Sequence, residues 1–292
     1  MQFEGTTYRP PVEADTMLLQ VTVGCAHNKC TYCNMYRDVK FRIIDLEQIE
    51  KDLREARQIY RRAERIFLVN GDAFVLPAKK LLEIAGTIRN HFPECHTITM
   101  YASINNIKHK SNKDLQTLKK AGINDLYMGI ESGWDKVLQE INKGNTVNEA
   151  RKQLYRLNEA GINHMALLML GVAGSGNGIE NAQHTAYFLN QTKPKLIWAG
   201  TLAVFEGTEL HAAIQKGDFL HPTELEILEE EKELIRGINL KNVPFYGIHP
   251  TNVVPIRGVI SKDTDRMIET IENAISEYGV EALSNVFQRT SL

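Results

Sequence analysis

A chain of 292 residues, 43% hydrophobic and 24% charged, has the balance of an ordinary globular protein and length for one large domain or two small ones. A formal net charge of -2 and a pI near 6.5 exclude the global positive field that marks many nucleic-acid binders, while a local basic patch stays open. The start, Met1-Gln2-Phe3-Glu4, lacks the basic-then-apolar order of a cleavable leader, and the longest apolar stretch, residues 165–174, is too short to span a bilayer. These features predict a cytoplasmic protein with no membrane partner, and nucleic acid is not expected as a partner.

Residues 17–23 form an apolar run, the first predicted strand, leading directly into Cys25-Ala26-His27-Asn28-Lys29-Cys30-Thr31-Tyr32-Cys33, which places three thiols within nine residues. Leu46, Ile49, Leu53, Ala56 and Tyr60 recur at three- and four-residue spacing, predicting an amphipathic helix over 45–62 with Asp45 as its N-cap. Arg54, Arg57 and Arg61 share one flank of it, but Glu47 and Glu50 stand four residues before Lys51 and Arg54, the pattern of a solvated face rather than an RNA-binding stripe. A strand over 65–70 is broken by Gly71-Asp72, Pro77 opens a helix reaching about 92, and 95–101 is the third strand. A helix over 110–121 stops at Gly122, and strand four, 125–130, turns through Glu131-Ser132-Gly133 into a helix holding Val137, Leu138 and Ile141. Helices over 146–160 and 178–190 and strands over 165–170 and 196–202 follow.

Strand starts near 17, 65, 95, 125, 164 and 195 give six strand-plus-helix units, an alternation that predicts parallel strands joined by helical crossovers in an α/β fold. Strands buried on both faces account for the continuous apolar runs. The pattern alone leaves a doubly wound sheet and a barrel or partial barrel both open; either puts the functional loops at the carboxyl ends of the strands. Beyond residue 206 the alternation stops, and helices over 222–236 and 263–278 flank an expected loop containing Pro244, Gly247, Pro250, Pro255 and Gly258. The expected organisation is an N-terminal extension, 1–16, a core, 17–210, and a C-terminal extension or cap, 211–292, packed on the core.

Four cysteines with three of them bunched do not make a disulfide framework, so the thiols are expected reduced, with Cys95 a small buried residue at a strand start. Thiolates are soft ligands that suit zinc or iron–sulfur iron. A structural zinc site takes four protein ligands, usually from two knuckles. One knuckle is present here, with His27 as the available fourth ligand. Three thiolates equally describe a four-iron cluster with one iron lacking a protein ligand.

The thiol loop, with Tyr32 before its last cysteine, resembles the radical S-adenosylmethionine (SAM) superfamily, and the resemblance runs from about residue 18 to 210. Asn70-Gly71-Asp72 stands where that family carries a glycine-rich turn. Gly129-Ile130-Glu131-Ser132-Gly133 followed by Lys143-Gly144-Asn145-Thr146, and Phe205-Glu206-Gly207-Thr208-Glu209-Leu210, are similar to signatures of the branch containing anaerobic coproporphyrinogen oxidase, methylthiotransferases and elongator-type domains. The resemblance implies a partial (β/α)6 TIM-like barrel with parallel strands and a small C-terminal extension. It also implies a [4Fe–4S] cluster on Cys25, Cys30 and Cys33, with SAM on the remaining iron. In this reading Tyr32 lies near the adenine, Gly71 and Asp72 meet the SAM amino group, and Glu131 or Ser132 takes the ribose. Lys143 is assigned to the SAM carboxylate by charge complementarity, and the turn beginning at Gly171 lies against the adenosine. Reductive cleavage of SAM then yields a 5'-deoxyadenosyl radical that takes hydrogen from an unidentified substrate, with a donor such as flavodoxin or ferredoxin supplying the electron.

Departures accompany the resemblance. Four residues separate Cys25 from Cys30 where the commonest loop has three, Leu167 stands where coproporphyrinogen oxidases have an aspartate, and Ala173 replaces the usual proline. A porphyrin substrate is disfavoured by the missing aspartate, and an RNA substrate by the lack of an appended basic domain. Structural readings compete at each site: Gly71 as a simple turn, Asp72 as a loop acid, Glu131 as a helix-start acid and Lys143 as a helix-end charge. Residues 171–178 hold four glycines but lack the Lys-Ser or Lys-Thr of a phosphate loop. The alternative from another class is a non-catalytic iron–sulfur or zinc protein, an electron carrier or scaffold. Residues 211–292, with Tyr246, His249 and Arg257, are expected to carry substrate specificity.

Overall fold

The computed structural model describes residues 1–289. Its strands are β1 (Met17–Gln20), β2 (Thr22–Val23), β3 (Arg42–Ile43), β4 (Arg65–Val69), β5 (Thr97–Ala102), β6 (Ile123–Glu131), β7 (Asn163–Leu170), β8 (Leu196–Thr201), β9 (Pro244–Gly247) and β10 (Ile256–Val259). Eight of them form one sheet in the order β1-β4-β5-β6-β7-β8-β9-β10, and β2 and β3 form a separate antiparallel pair. The pairs β1–β4, β4–β5, β5–β6, β7–β8 and β8–β9 are parallel, and β9–β10 is antiparallel. The architecture is a mostly parallel α/β sheet of the partial (β/α)6 TIM-like kind with a small C-terminal extension.

Two differences from the sequence expectation have physical reasons. The first predicted strand is divided: Met17–Gln20 joins the main sheet, while Thr22–Val23 leaves it to pair with Arg42–Ile43. The loop expected around Pro244 and Gly247 is instead an antiparallel pair. Pro244 takes the first place of β9, where no ladder N–H is needed, and the glycines serve close approaches: a Cβ on Gly258 would lie 2.7 Å from Met267 Sδ.

The chain divides into two compact units interleaved in sequence. The first comprises Met1–Asn28, Met35–Gly129 and Lys152–His164. Here helix Leu46–Ile59 buries Ile49, Leu53 and Ala56, and helix Ala78–His91 buries Leu81, Ile84, Ala85 and Ile88, each an i, i+3/i+4 stripe. Asp45 occupies the N-cap position of the first of these without a side-chain capping bond, whereas Ser111 and Asp114 form a reciprocal capping box on helix Asn112–Lys120. At the amino end of the strands Glu13, 1% exposed, accepts from Arg65 Nη2 at 2.6 Å and from the Tyr127 hydroxyl at 2.6 Å, while Arg65 Nη1 reaches Asp125 at 2.5 Å. Arg65 is the one cation of this set, so its removal would leave the buried Glu13 carboxylate without a charge partner.

The second unit comprises Lys29–Asn34, Ile130–Arg151 and Met165–Leu292. Its strands β7 to β10 present two rows, because successive strand residues point to opposite faces. Ala166, Ile197, Phe245 and Gly258 share one row, the first three fully buried, and helix Thr264–Tyr278 lies against it through Met267. Leu167, Trp198, Tyr246 and Arg257 share the other.

Candidate cofactor site

In the first unit, the β2–β3 pair brackets the start of the thiol loop, with Thr22 opposite Ile43 and Val23 opposite Arg42. Gly24 follows at φ +76°, a left-handed turn that glycine adopts without steric penalty, and delivers the chain to Cys25. Gly71 packs directly against that point: a Cβ there would lie 2.6 Å from Tyr36 Cε2, 3.1 Å from the Gly24 carbonyl oxygen and 3.2 Å from Cys25 Cβ. The Gly71 N–H donates to the buried Tyr36 hydroxyl at 3.1 Å. Glycine here is thus a requirement of close approach to the first cysteine.

On either side of Gly71 stand two buried polar residues. Asp72, 3% exposed, accepts from the Asn106 side-chain amide. Lys110 completes this network, donating to the Phe74 carbonyl at 2.7 Å and lying 4.3 Å from the Phe74 ring centroid. Burial pulls the Lys110 pKa down to about 8 against the opposing influence of Asp72. Asn70 is 1% exposed, and its side-chain oxygen has no hydrogen-bond partner among the described residues. A buried acceptor left open beside the Gly-Asp turn suits an incoming N–H donor such as an ammonium group.

In the second unit, the rest of the loop is held by backbone bonds. Thr31 N–H donates to the Ile141 carbonyl at 3.1 Å, Leu210 N–H to the Thr31 carbonyl at 3.0 Å, and the Asn142 side chain to the Lys29 carbonyl at 3.0 Å. The 205–210 segment and the turn after helix Asp135–Glu140 therefore fix Cys30 and Cys33. Tyr32 packs on the cluster of Val137, Leu138, Ile141, Val172 and Ala173, together with Met169. Its hydroxyl bonds Glu131, and burial followed by the negative charges of Glu131, Cys30 and Cys33 raises its pKa well above the ordinary tyrosine value.

Glu131 is a non-glycine residue at φ +61°, a conformation costing about 1–3 kcal/mol unless its surroundings hold it. Lys143 does so: Nζ lies 2.8 Å from Glu131 Oε1, and the two side chains are 14% and 10% exposed. Local chemistry aims that lysine, since Asn142 at φ +52° and Gly144 at φ +80° flank it with left-handed residues and its N–H closes on the Leu138 carbonyl at 2.9 Å. Glu131, Lys143 and Tyr32 are thus brought together across 112 residues of chain.

Ser132 and Gly171 are engaged otherwise. Ser132, 1% exposed, donates to Asn181 Oδ1 at 2.5 Å and accepts from Trp134 N–H at 3.0 Å. Asn181 in turn donates to Glu230 Oε1 at 2.7 Å, and Gly171 N–H donates to Glu230 Oε2 at 2.7 Å. Burial lifts the Glu230 pKa to about 7, offset in part by these two donors. Sequence reasoning had no signal for Asn181 or Glu230, 49 and 98 residues beyond Ser132. Asn70 and Tyr36 were legible only as neighbours of the Gly-Asp turn and of the last cysteine.

Cys25, Cys30 and Cys33 are each half-buried, and no cysteine among the described residues is in a disulfide. No group of three His, Cys, Asp or Glu side chains among them is drawn together around a point where a single metal ion would sit. The loop offers three thiols, a donor set that suits an iron–sulfur cluster, and the missing side chain at Gly71 leaves room for Cys25 Cβ beside it. Cys95 precedes β5, at the end of the parallel strands β1, β4 and β5 opposite to Cys25, and its thiol is directed to the Thr97 carbonyl at 3.5 Å. It is 5% exposed and no candidate for a fourth ligand.

Residues 19–184, more than half of the chain, match the radical SAM superfamily, and the chain belongs to that superfamily, whose members use a [4Fe–4S] cluster and SAM and are enzymes requiring a substrate and a reductant. Within it, the tRNA uridine(34) acetyltransferase of Methanocaldococcus infernus is 26% identical over 120 residues, 41% of this chain and 22% of the relative. The chain thus spans less than a quarter of that relative's length. The solved structure of M. infernus Elp3 with an N-terminal deletion has TM-score 0.55 and 15% identity, covering 91% of this chain and 63% of that one. Coproporphyrinogen III oxidase HemN from Escherichia coli has TM-score 0.51 and 13% identity, covering 84% and 64%. At these identities the structures show a shared fold, and both lie in the branch that the sequence motifs resemble. A relative named for tRNA removes the ground for setting nucleic acid aside, so that expectation is withdrawn. No helix among the described residues is long and apolar enough to cross a membrane.

Proposed function

We propose that this chain is a cytoplasmic radical SAM enzyme, built on a core over 17–210, that cleaves SAM reductively and uses the resulting 5'-deoxyadenosyl radical to take hydrogen from its substrate. Cys25, Cys30 and Cys33 hold the cluster, and the electron comes from a low-potential donor of the flavodoxin or ferredoxin type. Asn70, Gly71 and Asp72 receive the SAM amino group: Gly71 gives close backbone approach, Asn70 and Asp72 supply acceptors, and the Asn106–Lys110 network fixes Asp72. Glu131 takes the ribose in preference to Ser132, whose hydroxyl is taken up by Asn181 and Trp134. Lys143 holds the Glu131 carboxylate in place and offers its ammonium to the SAM carboxylate. Tyr32 covers the adenine with its ring. Gly171, bonded to Glu230, shapes the adenosine-side turn without a free N–H of its own.

The observation that carries this reading is the support built under both ends of the thiol loop, Cys25 against Gly71 in one unit and, in the other, Tyr32 close to Cys30 and Cys33 and bonded to Glu131. The test is anaerobic reconstitution with iron and sulfide, reduction with dithionite and chromatography after adding SAM. Equimolar methionine and 5'-deoxyadenosine are expected, and both disappear in Cys30→Ala. A colourless protein that retains one zinc, forms neither product and ignores SAM would place it among non-catalytic metal proteins.

A further inference from the structure

The row of the second unit that ends at the exposed Arg257 has a composition that the cofactor chemistry does not use. Leu167, Trp198, Tyr246 and Arg257 stand in register across four strands. The opposite row is buried throughout, whereas here burial grades from Trp198, 6% exposed, through the half-buried Leu167 and Tyr246 to the exposed Arg257. The Arg257 guanidinium lies over the Tyr246 ring, 4.9 Å from its centroid, and Tyr246 meets Trp198 edge to face with centroids 5.9 Å apart. Among the described residues no carboxylate is ion-paired with Arg257. Met169 stands one pleat beyond Leu167 on the same face of β7 and packs against the Val137, Leu138, Ile141, Val172 and Ala173 cluster that also carries Tyr32, so the row lies roughly 7 Å along the strand from that cluster. His249 closes the intervening level, packed 3.7 Å from the Cβ position of Gly200, the register partner of Met169, with its Nδ1 bonded to Thr251 at 2.7 Å.

An arginine stacked on an aromatic ring keeps its in-plane N–H fork preset for a carboxylate or phosphate, and the neighbouring apolar surface takes the body of the same molecule. A single cation beside an apolar row matches one anionic group; a polynucleotide backbone is held by several. We infer that this row is a substrate subsite and that the substrate is a small organic anion, a carboxylate or phosphate monoester, with a planar or apolar body. The assignment of the row to substrate rests on the radical SAM reading above; the binding chemistry does not.

Trp198 is one of two tryptophans, so Trp134→Phe in the reconstituted chain leaves one fluorescent reporter in the row. The probes are phenylacetate against phenylacetamide, phenyl phosphate against phenol, and a short uridine oligonucleotide. At least one anion is expected to bind about tenfold or more tightly than its neutral partner, the size of one charge-assisted contact, and Arg257→Gln is expected to erase that ratio. Which anion is preferred identifies carboxylate or phosphate. Equilibrium dialysis of the unaltered chain repeats the comparison without relying on either variant's folding. No binding by either anion, equal affinity within both pairs, an unchanged ratio in Arg257→Gln, or tighter binding of the oligonucleotide would each overturn the inference. Loss of SAM cleavage leaves all these comparisons intact, so the two readings fail separately.

Discussion

Gly71→Ala isolates the packing that seats the first cysteine. The new methyl carbon would stand 2.6 Å from a Tyr36 ring carbon, about 1 Å inside the separation at which carbons attract, and 3.1–3.2 Å from the Gly24 oxygen and Cys25 Cβ. Tyr36 has little room to yield, being 6% exposed with its hydroxyl accepting the Gly71 N–H. Overpacking of this kind costs about 1–3 kcal/mol, and loss of the hydrogen bond adds about 1 kcal/mol. Taking about 2–3 kcal/mol, the melting temperature falls by roughly 3–5 °C in a chain of this size. Relief by movement of Cys25 would displace one of the three proposed iron ligands, so iron bound per chain after reconstitution should fall with it. Gly86→Ala is the matched control: nothing lies within 4 Å of a Cβ there, in the middle of helix Ala78–His91, and alanine should stabilise by about 0.5–1 kcal/mol. Wild-type melting and full iron content in Gly71→Ala would refute the reasoning.

Lys143→Met removes the cation from a nearly buried pair and leaves Glu131 unpaired in a left-handed conformation; a stability loss of about 3 kcal/mol and weaker SAM binding by calorimetry are expected, and unaltered SAM affinity would count against Glu131 as a cofactor group. Two buried groups give the pH profile opposite slopes. Burial holds the His164 pKa at about 4 against an ordinary 6.5, so the unfolded chain takes the proton first; its contribution is complete above pH 6.5 and is lost as pH falls toward 4, about 3 kcal/mol in all. Glu230, raised from 4.5 to about 7, is protonated first in the folded chain; its contribution is complete below pH 4.5 and is lost as pH rises through 7, again about 3 kcal/mol. Both windows lie between about pH 4 and 7 and largely offset one another, so denaturant titrations across that range should show stability falling as pH rises in His164→Leu, where the Glu230 slope is left alone, and rising with pH in Glu230→Gln, where the His164 slope is left alone.

What the sequence conveyed follows the range of the interactions concerned. Residues 165–170 read as a buried strand because the run is continuously apolar, and β7 occupies Asn163–Leu170. Pro-Phe-Tyr-Gly at β9 read as loop because its terminal residues are turn formers, while its strand character comes from pairing with Ile197 and Trp198 far away in sequence. Cys25, Cys30 and Cys33 stood out in the sequence as a ligand set because all three fall within one loop. The Glu131–Lys143 pair was half legible, each residue suspected separately. The hydroxyl of Ser132 looked equivalent to the Glu131 carboxylate as a ribose ligand in the sequence, whereas the fold engages it with Asn181, itself held by Glu230, and with the Trp134 N–H. Arg57 shows the same dependence, its place in a basic flank proving to be an ion pair with Glu94 at 2.6 Å beside the Phe92 ring.

The vacancy expected among the iron ligands is the feature on which the whole account turns, since three thiolates leave one iron of a four-iron cluster to SAM. The most direct measurement is electron paramagnetic resonance of the reconstituted, dithionite-reduced chain before and after adding SAM. The account predicts a reduced [4Fe–4S] signal whose g-values shift when SAM binds, with the shift lost in Glu131→Ala while the cluster signal remains. A cluster signal indifferent to SAM at millimolar concentration, or no cluster signal at all, would contradict it.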